Sequence, residues 1–138
     1  MLQDVTDEVV AAFGRLLPQL SSSAKPLTHA DITALRESPA VTVLLARCDG
    51  TLAGTLTLAM FPLPSGLRAW VEDVVTDEAF RGRGVGEALT RAAIRLAEEA
   101  GARTLDLTSR PSRAAAGRLY ERTGFAQRES RVYRYTYE

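Results

Sequence analysis

The stretch Glu72-Asp73-Val74-Val75-Thr76-Asp77-Glu78-Ala79-Phe80-Arg81-Gly82-Arg83-Gly84-Val85-Gly86 decides the fold. Residues 67–76 carry Trp70, Val71, Val74 and Val75 and read as a strand. A short turn and three glycines follow. A long helix then runs to about residue 100, with Val85, Leu89, Ala92, Ala93, Leu96 and Ala97 on its buried stripe, and Gly101 stops it. A strand that passes through glycines into a helix builds an anion site. The first amides of a helix have no internal acceptors, and the dipole there favours negative charge. Glycines at 82, 84 and 86 remove β-carbons, and Arg81 and Arg83 add positive charge. The spacing is neither G-x-G-x-x-G nor G-x-x-x-x-G-K-[ST]. Taken alone, the turn also fits a tight connection with two solvated arginines.

Working outward, residues 5–17 place apolar side chains at helical spacing, with Asp4 or Thr6 as a cap and Pro18 as the end. Thr28 opens a shorter helix to about residue 37. Residues 41–47 and 52–60 read as strands joined by Asp49-Gly50, a strong hairpin signal. Residues 61–66, with Pro62, Pro64 and Gly66, read as a loop. Beyond the long helix, 103–108 reads as a strand, 112–122 as a helix stopped near Gly124, and 131–137 as a last strand. The order is helix, helix, three strands, helix, strand, helix, strand. Hairpin strands leading into a strand–helix–strand unit predict an α+β chain with one local parallel pair and a right-handed crossover.

The sequence has 138 residues, 46% of them hydrophobic and 25% charged, and its formal net charge is zero. That predicts one domain over residues 1–138, and no basic excess favours nucleic acid as a partner. The single cysteine, Cys48, and the single histidine, His29, exclude a disulfide framework and disfavour a metal site. Cys48 reads as inert and His29 as a surface or capping residue. No signal-peptide pattern opens the chain, and no apolar run approaches the roughly 18–20 residues that span a membrane. A cytoplasmic protein without a membrane partner is expected. One lysine, Lys25, among many arginines and alanines suggests a high-GC bacterial origin.

Arg81-Gly82-Arg83-Gly84-Val85-Gly86 resembles the R/Q-x-x-G-x-G/A pattern of the GCN5-related N-acetyltransferases, the GNAT family. Glu72-Asp73-Val74-Val75-Thr76-Asp77 looks like that family's fourth strand. Ala116-Gly117-Arg118-Leu119-Tyr120-Glu121-Arg122-Thr123-Gly124-Phe125 resembles its A-x-x-L-Y-x-x-x-G-F segment, about 35 residues further on. The resemblance implies the GNAT fold: an α/β/α-like, mostly antiparallel mixed sheet with helices on both faces and a splayed parallel pair formed by the fourth and fifth strands. The family's first strand is missing or very short here. Acetyl-CoA would lie in the splay, beyond the strands' carboxyl ends. The amides of Arg81, Gly82, Arg83, Gly84, Val85 and Gly86 would hold its diphosphate, and the backbone of Val74, Val75 and Thr76 would pair with its pantetheine. Many members carry asparagine where this chain has Arg113, so Arg113 or Arg110 could reach a phosphate instead.

Acetyl transfer to an amine needs a proton acceptor for the amine and a donor for the departing thiolate. The resemblance makes Tyr120 the donor. Strand alternation puts Trp70, Glu72, Val74 and Thr76 on one face, which makes Glu72 the candidate base; Asp73, facing the other way, ranks second. Backbone amides near Val74 would polarise the thioester carbonyl. Trp70, Phe61 and the Pro62–Pro64 loop form either an acceptor pocket or ordinary packing. Tyr133, Tyr135 and Tyr137 share a strand face and are expected to pack; in the family this region often serves dimer or substrate surfaces, so a homodimer is open. The expected activity is acetyl-CoA-dependent, metal-free N-acetylation of a primary amine on a small molecule. Alternatives are acetylation of a protein or peptide amine, and a CoA-binding module without catalysis.

Overall fold

The computed structural model describes residues 1–137, which divide into two compact units, Met1–Thr108 and Ser109–Glu138. The first contains two helices, α1 (Asp7–Leu20) and α2 (His29–Glu37), three strands, β1 (Val41–Cys48), β2 (Thr51–Leu63) and β3 (Gly66–Thr76), then α3 (Val85–Glu99) and β4 (Thr104–Asp106). The second contains α4 (Ala114–Arg122).

Local chemistry explains these boundaries. Thr6 Oγ1 accepts the Val9 amide and caps α1, whose Val9, Ala12, Phe13 and Leu16 recur on one buried stripe. Pro18 does not end this helix as expected. Its missing N–H costs one bond in the last turn, and the ladder closes beyond it through Ser21 N–H to the Leu17 carbonyl at 2.9 Å. Thr28 and Asp31 form a reciprocal capping box on α2. Asp49 and Gly50 both adopt positive φ, +51° and +79°, as a two-residue hairpin turn requires.

The sheet order is β1-β2-β3-β4, with the first three strands antiparallel and β4 parallel to β3. The expected loop at 61–66 is instead the far end of a long hairpin, in register from Phe61↔Arg68 to Leu63↔Gly66. Pro62 is tolerated there for a geometric reason. Met60 N–H reaches the Ala40 carbonyl on the β1 side, and by alternation Pro62 nitrogen faces that side too, where β1 has already ended.

Helices cover both faces of the sheet. Val85, Leu89, Ala93 and Ala97 of α3 pack with Leu44, Leu56, Leu58, Ala69 and Val71 on one face. Val9, Ala12 and Phe13 of α1 and Ile32 of α2 pack with Val43 and Leu52 on the other. Residues 1–6 form no strand. Leu2 is buried beside β1 and donates one backbone bond to the Val43 carbonyl at 2.8 Å, which is all that stands in the first-strand position.

In the second unit, Gly124 (φ +109°) ends α4, and Phe125 folds back so that its amide donates to the Tyr120 carbonyl at 2.9 Å. The Tyr120 and Phe125 rings meet edge-on at 5.9 Å. Residues 131–137 form no strand, contrary to expectation, and Val132, Tyr133, Tyr135 and Tyr137 are exposed. Alternation prepares a chain for a ladder, but a strand exists only where a neighbour supplies the other half. Among the described residues this segment has none. The Tyr135 and Tyr137 rings meet edge-on at 5.2 Å.

Candidate functional site

The splay is set by where strand pairing stops. β4 pairs with β3 only from Arg68↔Thr104 to Trp70↔Asp106, whereas β3 continues to Thr76. Asp77 N–H donates to the Ala53 carbonyl on the β2 side at 2.7 Å. By alternation the peptide groups of Val75 face β2, and those of Val74 and Thr76 face the side that β4 has left open.

The glycine-rich turn stands at the end of that opening. Asp77 closes β3 and caps a short 3-10 turn, Glu78–Phe80, through the Ala79 amide at 3.1 Å. Two α1 side chains clasp it: Arg15 Nε donates to Asp77 Oδ2 at 3.0 Å, and Gln19 Oε1 accepts the Glu78 amide at 2.9 Å. The Ala79 amide, then Arg15 and Gln19, hold the Asp77 carboxyl below its usual pKa against the opposing effect of burial. Gly82 and Gly84 take φ of +78° and +81°, a conformation that favours glycine. Gly84 is the N-cap of α3 and offers no side chain, so the amides of Val85 and Gly86 have no acceptor among the described residues.

The two arginines of the turn differ. Arg83 Nη2 donates to Asp49 Oδ2 of the hairpin turn at 2.5 Å, its guanidinium lies 5.7 Å from the Phe80 ring, and the Asp49 bond raises its pKa further. Arg81 forms no ion pair among the described residues. The sequence suggested two cations for a bound anion; the fold leaves Arg81 uncommitted and ties Arg83 to Asp49.

The alternation that grouped Glu72 with Val74 and Thr76 breaks down. Between Thr55↔Val75 and Thr57↔Glu72 the register shifts, because β3 holds one residue more than β2. Asp73 lies in this bulge with φ +49°. Glu72 pairs with Thr57, on the α1–α2 face, whereas Val74 packs against the α3 core. Asp73 also faces the α1–α2 side, where it lines a cavity of about 390 Å³ with Phe13 and Leu17 of α1, Lys25 of the α1–α2 loop, and Thr55 and Thr57 of β2. Trp70, Phe61 and the Pro62–Pro64 segment do not line it. Trp70 instead lies 5.3 Å from the Arg68 guanidinium, which binds Asp106 at 3.0 Å.

Glu72, Val74, Val75, Thr76 and residues 81–86 therefore lie along one continuous stretch of the first unit, and Tyr120 and Arg113 belong to the second. Tyr120 is half-buried; burial raises the pKa of its phenol, and Arg113 acts weakly in the opposite sense. Sequence reasoning missed Arg15, Gln19, Asp49 and the cavity. An aspartate followed by a break in the strand pattern signals a cap at Asp77. Nothing local reveals that α1 supplies its partners. Among the described residues no group of His, Cys, Asp and Glu could hold a metal ion, and no helix is long and apolar enough to cross a membrane.

Residues 3–125 match the model of the Acetyltransferase (GNAT) family. No curated protein sequence is significantly similar to the chain. Among solved structures, one from Agrobacterium tumefaciens str. C58 described as an acetyltransferase is 28% identical, with 99% of this chain and 98% of that chain covered and a TM-score of 0.85. Ribosomal-protein-alanine N-acetyltransferase from Brucella melitensis biovar Abortus 2308 is 26% identical, with 92% of each chain covered and a TM-score of 0.71. AAC(6')-Iy, solved with the bisubstrate analogue CoA-S-monomethyl-acetylneamine, is 20% identical, with 96% and 93% covered and a TM-score of 0.78, a likeness of fold. A parallel strand pair that parts beside an uncapped, glycine-led helix, together with a family match over nearly the whole chain, makes this protein a member of the acetyltransferase (GNAT) family and an acetyl-CoA-dependent N-acetyltransferase.

Proposed function

We propose that residues 1–138 act as one acetyltransferase domain that transfers acetyl from acetyl-CoA to a primary amine on a small molecule. One observation carries this reading: the peptide groups of Val74 and Thr76 face a gap that ends at the uncapped amides of Val85 and Gly86. A pantetheine amide chain complements the first, and a diphosphate complements the second. In this reading the amides of residues 81–86 hold the diphosphate, Arg81 adds charge, and Arg113 reaches a phosphate. A size argument favours a small acceptor, because a cavity of about 390 Å³ lies on the α1–α2 face beside Asp73 and accommodates a compact molecule.

Glu72, on the same face as the cavity, takes a proton from the acceptor ammonium. The neutral amine forms the new N–C bond, the C–S bond breaks, the Tyr120 phenol protonates the departing thiolate, and the second proton that the nitrogen sheds in becoming an amide restores the phenol. An amide near Val74 stabilises the developing oxyanion. Calorimetric titration with acetyl-CoA and with free CoA, followed by thiol release with a panel of small amines and peptides, tests the reading. Saturable binding with turnover of small amines supports it. Absence of heat at millimolar acetyl-CoA, or turnover of peptides alone, overturns it.

A further inference from the structure

The charges around the cavity narrow the acceptor. Most of its walls are apolar, with Phe13 and Leu17 from α1, Leu27 from the α1–α2 loop, Leu35 from α2 and Val43 from β1, and Thr55 and Thr57 of β2 add hydroxyls. Only two charged side chains line it, Lys25 and Asp73, one of each sign. Neither forms an ion pair among the described residues. Lys25 is the chain's single lysine, and it stands on the α1–α2 loop, whose Ser21, Ala24 and Leu27 also line the cavity. Asp73 is aimed there by the bulge, in a backbone conformation that side chains adopt at a cost.

A polyamine or a sugar with several ammonium groups needs several carboxylates, and this cavity offers one, Asp73. A simple alkylamine would satisfy Asp73 and the apolar walls but leave Lys25 without a role. A molecule with an ammonium, a carboxylate and an apolar body matches all three. We propose that the acceptor is an α-amino acid with an apolar side chain, of the size of leucine or phenylalanine, its ammonium held by Asp73, its carboxylate by Lys25 and its side chain by the apolar walls. This rests on the acetyltransfer reading and deepens it. The transfer balances: the amino group loses two protons in becoming an amide, the thiolate takes up one, and one passes to solvent.

The test compares L-leucine with 3-methylbutylamine, which has the same apolar body and no carboxylate, and with L-leucinamide, in which the carboxylate is neutralised. The expected kcat/KM for L-leucine exceeds that for either analogue by about tenfold, the size of one charge-assisted hydrogen bond. In Lys25→Met that ratio falls about tenfold, and in Lys25→Arg it is retained. Lys25 is exposed, so these variants fold. Equal kcat/KM for L-leucine and 3-methylbutylamine, or a ratio that Lys25→Met leaves untouched, overturns the inference. So does acetylation of other amines without any of L-leucine; the acetyltransfer reading then stands alone. Binding separates the remaining case. If acetyl-CoA binds but no amine turns over, calorimetry of L-leucine with the CoA-loaded protein decides, heat supporting the inference and its absence sinking it. If acetyl-CoA itself gives no heat, the acetyltransfer reading fails, and this inference with it.

Discussion

Gly54 of β2 lies against Val85 at the start of α3, so close that a β-carbon on Gly54 would stand 2.7 Å from Val85 Cγ1. The same atom would be 3.1 Å from the Val75 carbonyl oxygen and 3.2 Å from Leu89 Cδ1. The backbone oxygen cannot yield as a side chain can. Gly54→Ala is therefore expected to push α3 away from the sheet and to destabilise the fold by about 1–3 kcal/mol, as overpacking does. The turn before α3 moves with it. Thermal unfolding should show the loss, and calorimetry should show weaker acetyl-CoA binding in whatever protein remains folded.

Asp77 predicts a pH dependence of stability. Its folded pKa is lowered, by the Ala79 amide first and then by Arg15 and Gln19. A carboxylate of this kind contributes stability above its unfolded pKa of about 4, and that stability is lost as pH falls through the lower folded value. Asp77→Asn should therefore be less stable than the natural protein near neutrality. The gap should close as pH falls below about 4, the unfolded value. Urea unfolding at a series of pH values measures it; a gap constant with pH would remove Asp77 from the ionic linkage.

The Asp49–Arg83 ion pair makes an opposite kind of prediction. Asp49→Asn releases the Arg83 guanidinium beside the turn. The KM for acetyl-CoA should fall about two- to threefold at low ionic strength, within the range of exposed pairs. Near 1 M salt, where the screening length is about 3 Å, the gain should vanish. Steady-state kinetics across a salt series distinguishes this from a change in shape, which salt would not erase.

Tyr120→Phe should lower kcat by ~10²-fold, the lower range for a lost general acid. Burial raises the phenol pKa, so the natural enzyme should show no loss of activity from Tyr120 ionisation until above about pH 10. A kcat–pH profile of both proteins is the measurement. Undiminished turnover in the phenylalanine variant would show that another group, or water, protonates the thiolate.

Glu72→Gln should flatten the acidic limb of the kcat/KM profile, and Asp73→Asn should chiefly raise the acceptor KM. Both residues face the α1–α2 side, so the comparison is between neighbours. If Asp73→Asn flattens the limb while Glu72→Gln leaves it intact, the two assignments exchange.

The glycine-led helix, the hairpin at Asp49-Gly50 and the capping threonines were legible in the sequence because each is a local rule. Positive φ, an unpaired amide and a side-chain cap are settled within a few residues. The parallel β3–β4 pair followed from the crossover, and its short length did not. The bulge at Asp73 was invisible, since no glycine marks it and the extra residue is defined only against β2. One inserted residue was enough to undo a face assignment made by counting in twos. Residues 131–137 failed for the complementary reason: their alternation is clear, but a ladder is a property of two segments. The Arg15–Asp77 clasp joins residues 62 positions apart, and only the folded chain brings them together.

Helix α1 touches two places at once. Phe13 and Leu17 wall the cavity, and from the same turns of the helix Arg15 and Gln19 grasp the carboxylate from which the glycine turn departs. One helix thus joins the cavity wall to the carboxylate that closes β3. If a molecule in the cavity changes the hold on a phosphate at the turn, thermodynamic reciprocity makes the phosphate change the hold on that molecule by the same factor.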